Sequence, residues 1–198
     1  MTLHPQLEAI RAEFVSAQDR LSRLAQSIPD AVWNRRPDPA QWSIAECVEH
    51  LNLTAQAYLP LLRDALDRAR RLSGSAPRRY RRDPIGWMLW RTQGPPVRRR
   101  MKTIPRFNPG SQRPHTELMA EFVRLQDAQI SCVHAADGLR LGQVWIRSPF
   151  DSRIRYNTYS CLTILPRHQH RHLWQAEQVW ATISAASHPA TVNGTFQD

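Results

Sequence analysis

His168-Gln169-His170-Arg171-His172-Leu173-Trp174-Gln175 lies in the last quarter of a 198-residue chain. It belongs to a segment, about 157–184, in which Cys161, Leu165, Val179 and Ile183 share one apolar stripe at helical spacing. At about 100° per residue, His168 and His172 fall within about 20° of Cys161 on that stripe, and Gln175 lies about 40° to one side. His170 falls on the opposite face, which predicts a solvated side chain. Two imidazoles in a core stripe are costly unless their polar atoms are satisfied. An i, i+4 pair on one helical face can grip a single ion, and hydrogen bonds within the core would satisfy the same atoms. Pro166 interrupts the segment and predicts a kink just before the pair, which would weaken such a grip.

Three further segments read as long helices. Residues 5–27 place Leu7, Ile10, Phe14, Ala17, Leu21 and Leu24 on one face, with Pro5 suited to the first turn. The second starts at Ser43-Ile44-Ala45-Glu46, a capping box in which the Ser oxygen accepts from a free N–H and Glu46 reaches back. It continues to about Leu72, with Trp42 and Cys47 placed for a hydrophobic staple, and Pro60 predicts a kink or an early end. The third spans about 115–136 and closes at Asp137-Gly138. Residues 139–156 read as an irregular connection with a short strand near Gln143–Ile146. The expected fold is all-α: a four-helix bundle in one domain over 1–198, with a long crossover connection between helices 2 and 3. That connection, about 73–113, is a Pro-rich basic insertion in which Ile85–Trp90 reads as a short helix packed onto the bundle.

The charge is concentrated in the same place. The chain carries a net +10. Residues 68–113 hold thirteen Arg and one Lys against Asp83 alone, so the rest of the chain is slightly acidic. No apolar run is long enough to span a membrane, and the N-terminus has no signal core. Three cysteines without a CxxC pair argue against a disulfide framework and a Cys-rich zinc site. A cytoplasmic location is expected. No GxGxxG or GxxxxGK[ST] loop supports a nucleotide fold.

On the second helix His50 lies on the shoulder of the apolar stripe, where alone it reads as a boundary histidine. With His168 and His172 it would give three ligands from two helices and leave coordination positions open. Glu46 lies one turn before His50, with capping as its better-supported task. Glu49 reads as surface. Cys47 and Cys161 face inward near these residues, as a fourth ligand, a nucleophile or buried structural thiols. Gln175 is a candidate to orient a ligand or a bound water.

Trp33-Asn34-Arg35-Arg36-Pro37, Trp42 to Leu51, and His168 to Gln175 together resemble the DinB-like superfamily in motif and order; Lys102-Thr103 and Phe107-x-Pro109 resemble the middle of one branch. The resemblance covers nearly the whole chain. It implies a four-helix bundle with one crossover, a three-histidine metal site on His50, His168 and His172, zinc or nickel as the ion, and frequent homodimers. It also implies two activities on small molecules: metal-dependent hydrolysis, and transfer of low-molecular-weight thiols onto electrophiles. The alternative is a non-catalytic binding module. In it, Arg78, Arg79, Arg81, Arg82 and Arg98 to Arg100, interleaved with Tyr80, Trp87 and Trp90, contact nucleic acid, an acidic partner or a membrane surface. A solvated loop whose arginines pair with the acidic helices explains the same composition.

Overall fold

The structure, a computed structural model, describes residues 2–75, 77–96, 103–110 and 112–187. Its long elements are helices α1 (Pro5–Ser27), α2 (Ile44–Arg70), α4 (His115–Ala135) and α5 (Thr158–Ser187), with a shorter α3 (Pro84–Thr92). Two three-residue strands, β1 (Trp145–Arg147) and β2 (Arg155–Asn157), pair antiparallel with Ile146 opposite Tyr156. The protein is therefore mostly helical. β2 falls in the stretch expected to be irregular; three-residue strands carry too little periodicity to be seen in a sequence.

α1 packs on α4 and α5, and α2 packs on the same two helices. Side-chain pairs give the directions. Gln6 meets Tyr159 and Arg20 meets Glu177, so α1 and α5 run parallel. Asn52 bonds the Leu118 carbonyl and Gln56 bonds Glu121, so α2 and α4 also run parallel. Gln126 of α4 reaches Phe14, while Glu8 senses His134, so α1 and α4 are antiparallel. A parallel α2 and α4 require the chain to return to its starting end between them, which the long connection 71–114 permits.

Pro60 does not end α2, nor does Pro166 end α5; both helices run through. Pro60 is exposed, so the carbonyl it leaves unbonded faces solvent and α2 continues to Arg70. The capping box is formed: Glu46 N–H donates to Ser43 Oγ at 3.2 Å and Ser43 N–H to Glu46 Oε2 at 2.7 Å. α3 is capped by Asp83, whose buried carboxylate also accepts from Ser160 Oγ at 2.7 Å and from the Asn157 backbone at 2.9 Å.

Two apolar clusters fill the interior. One takes Leu7, Ile10 and Phe14 with Ala55 to Ala69, Leu125 and Leu165; the other takes Ala17 to Leu24 with Ile44 to Leu51, Phe122 and Leu173. Each fully buried Leu, Ile or Phe contributes roughly 1.5–3 kcal/mol. Between the clusters runs a layer of buried polar side chains: His50, Asn52, Gln126, Gln129, Gln169 and His172. Gln126 and Gln169 satisfy each other, Gln169 Nε2 donating to Gln126 Oε1 at 2.7 Å and Gln126 donating back at 3.0 Å, while Asn52 donates to the Leu118 carbonyl.

Candidate metal centre

His50 comes from α2, and His168 and His172 from successive turns of α5. Their ring nitrogens converge. His168 Nε2 lies 3.4 Å from His50 Nε2 and 3.2 Å from His172 Nε2, and one nitrogen from each ring falls within 4.8 Å of the others. The kink expected at Pro166 does not separate the pair on α5. His50 is not on a shoulder but buried, at 2% exposure. The connection preceding α4 covers it, which a helical wheel of α2 cannot show.

The outer ring nitrogens fix which nitrogen carries hydrogen. His50 Nδ1 is 2.8 Å from the Phe107 carbonyl, which can only accept, so Nδ1 carries the hydrogen and Nε2 keeps its lone pair. His172 Nδ1 is 3.2 Å from Gln175 Oε1, and the same logic leaves its Nε2 lone pair facing inward. His168 Nε2 can donate to only one of these two acceptors. Without a cation, at least one pair of nitrogens would face each other with no hydrogen between them.

A proton is a poor remedy. Burial lowers the pKa of His50 against a smaller opposing effect of the Phe107 carbonyl. Burial, together with the neighbouring imidazoles and the Arg171 guanidinium, holds His168 and His172 well below the ordinary value. Neutral rings with convergent lone pairs are the donor set that a divalent ion takes. The spacing agrees. With metal–nitrogen bonds of about 2.0–2.1 Å, ligands at a tetrahedral angle stand roughly 3.3–3.4 Å apart, and at a right angle roughly 2.9 Å. The residues present therefore fit a metal ion.

Aromatic rings wall the cluster. Trp42 lies 5.0 Å from His50 and 5.8 Å from His172, centroid to centroid, instead of serving only as a staple. Phe150 lies 6.2 Å from His50 and stacks on Phe107 at 4.1 Å. Sequence reasoning assigned no role to Phe107 or Phe150. The signal for Phe107 was the Phe107-x-Pro109 motif; Phe150 sits between two strands too short to read.

Of the other expectations, the capping role of Glu46 and the buried thiols hold, whereas the exposure expected of Glu49 and His170 is corrected. Glu46 is held by Ser43 and by Arg36, whose Nε donates at 2.8 Å, so it belongs to the α2 cap and not to the cluster. Glu49 is buried, at 7% exposure, because α2 is enclosed on this side too. His170 is half-buried between α1 and α5, with Arg20 at 3.3 Å and Glu13 at 3.5 Å, because α1 covers the face expected to meet water. Cys47 and Cys161 are buried thiols whose pKa burial pushes up, and neither joins the histidines. Of the basic insertion, Arg98 to Arg100 lie outside the described residues. Arg78, Arg79 and Arg81 are exposed and Tyr80 is buried. The expected pairing with acidic helices occurs at the segment's ends: Arg68–Asp64, Arg70–Asp67 and Arg113–Glu121. Among the described residues no helix is long and apolar enough to cross a membrane.

No curated protein and no solved structure matches the chain. Residues 13–176 match the family model of the DinB superfamily, a span that runs from α1 to one residue beyond Gln175 and includes all three histidines. The chain belongs to the DinB superfamily.

Proposed function

We propose that His50, His168 and His172 together hold one divalent metal ion, zinc or nickel, and that the chain uses it as an enzyme on a small molecule. The four long helices act as a four-helix bundle with one crossover, a single domain whose basic segment is an insertion. A homodimer and a cytoplasmic setting complete the proposal; family resemblance supports the first and reduced cysteines the second. What carries the assignment is the convergence of three Nε2 atoms, two of them stripped of hydrogen by a carbonyl and an amide oxygen behind the rings.

Such an ion would supply Lewis acidity, lowering the pKa of a coordinated water or thiol. The protein's part is to hold the rings. The Phe107 carbonyl and Gln175 fix their orientation and raise their basicity. Trp42, Phe107 and Phe150 shield the cluster and offer apolar contact to an organic substrate. Hydrolysis and thiol S-transfer both start from this arrangement. Among the described residues no carboxylate joins the histidines to manage a proton from water. That favours transfer of a low-molecular-weight thiol onto an apolar electrophile, in which the substrate brings its own acidic S–H.

Metal analysis of the purified chain tests the assignment. One equivalent of ion is expected per chain, near zero in His172→Ala, and an affinity reduced about 10–100-fold in Gln175→Leu. Full metal content in His172→Ala would end it.

A further inference from the structure

Away from the histidines, a second set of side chains is organised without an evident purpose. Two adjoining clefts, of about 440 and 170 Å³, open where the segment before α3 crosses α1 and α5. They share Gln6, Arg82 and Tyr159. The larger is also lined by Arg79 and Arg81, the smaller by Arg167. Four guanidinium groups thus face the two spaces. The one acid there, Glu13, already lies 3.5 Å from His170.

Two of those cations converge on one ring. The Arg82 guanidinium carbon lies 4.1 Å from the centre of the Trp90 indole, and that of Arg167 lies 4.7 Å from it. Stacking on tryptophan attracts each guanidinium, but it also draws two like charges together. Among the described residues no carboxylate pairs with Arg79, Arg81, Arg82 or Arg167, although arginines elsewhere in the chain find theirs. Arg82 donates to the Thr163 hydroxyl at 2.9 Å, a neutral acceptor. Arg167 Nε is buried with no hydrogen-bond partner. Like charges held together around a concave space, with donors unspent, are the converse of an anion.

We propose that this double cleft binds a small phosphate-bearing molecule. Its phosphate lies among Arg79, Arg81 and Arg82, with Trp87, which is 52% exposed at the cleft, offering a face on which a planar part of the ligand can stack. Planar guanidinium forks match phosphate oxygens in pairs, which a row of solvated lysines would not do. Two short clefts with a few clustered guanidinium groups suit a compact anion better than an extended polyanion, whose charges would need a continuous track along the surface.

Inorganic pyrophosphate is the probe, titrated by calorimetry and by tryptophan fluorescence at 150 mM salt. It is added to the native chain, to the chelator-treated chain and to the double variant Arg79→Gln/Arg81→Gln. Both substituted residues are exposed, so the variant is expected to fold, and its retained metal content checks the histidine cluster separately. Expected are saturable binding of one pyrophosphate per chain, unchanged by chelator, and at least a tenfold loss of affinity in the double variant. Binding that disappears with chelator, or that the variant retains, overturns the proposal. So does a single-stranded oligonucleotide that binds much more tightly than pyrophosphate with a steep salt dependence, which would assign the surface to nucleic acid instead.

Discussion

Gln175 and the Phe107 carbonyl do the same task for two different rings: each takes the Nδ1 hydrogen and turns the Nε2 lone pair toward the common point. The buried setting gives the three imidazoles a pH signature. In the unfolded chain each would titrate near about 6.5. In the fold all three are held lower, chiefly by burial. Above about pH 6.5 neither state is protonated and the difference costs nothing. As the pH falls through that value, the unfolded chain takes up protons that the folded chain refuses, so stability declines toward the depressed folded values. Urea midpoints of the metal-free chain at pH 7.5, 6.0 and 5.0 should fall in that order, and less steeply in His168→Gln. Equal slopes in the two chains would mean that these rings are not the source. Of the residues involved, His168, His172 and Gln175 were legible because a single helical period fixes their direction. The partner of His50 was not, because a carbonyl in a connection leaves no side-chain signature.

Helix existence was legible almost throughout, and the reasons differ by element. α1 and α4 carry uninterrupted apolar stripes, and α2 announces its start with Ser43 and Glu46. The early end expected at Pro60 does not occur, and a sequence does not say which way a residue faces: Pro60 points to solvent, where a lost backbone bond is cheap. α3 was legible as a helix but not in its anchoring, which depends on a contact across 74 residues. A Cβ placed on Gly86 would overlap the Ser160 side chain and crowd the Asp83 carboxylate, the groups that bind α3 to the start of α5. Gly86→Ala should therefore destabilise the fold by about 1–3 kcal/mol, although alanine is the better helix former. Ser160→Ala added to it should return little of that loss, because the Ser160 Cβ stands as close as the hydroxyl and alanine keeps it. A Gly86→Ala chain as stable as the parent in urea would show that α3 does not sit this closely.

Across the whole molecule the polar layer divides the core at mid-height, and the histidine cluster is the part of it in which three ring nitrogens are left facing one another. The glutamines close their bonds among α4, α5 and the α1 backbone, so that half of the layer is complete in the protein alone. The histidines bring α2, α5 and, through Phe107, the returning connection to one point with lone pairs to spare. An ion there would tie together three segments that are far apart in the chain and that separate on unfolding. Binding confined to the native state adds about 2.7 kcal/mol when free metal stands at a hundred times the Kd. For a chain of this length each kcal/mol moves the Tm by roughly 2–4 °C, so saturating zinc or nickel should raise it by roughly 5–10 °C. The same addition should leave His168→Gln nearly unmoved, since two remaining ligands hold an ion far less well. Scanning calorimetry of both chains, with and without metal, reads the difference directly. An equal rise in the two would place the stabilising ion elsewhere, whereas a rise confined to the parent would make the ion part of what holds α2 to α5.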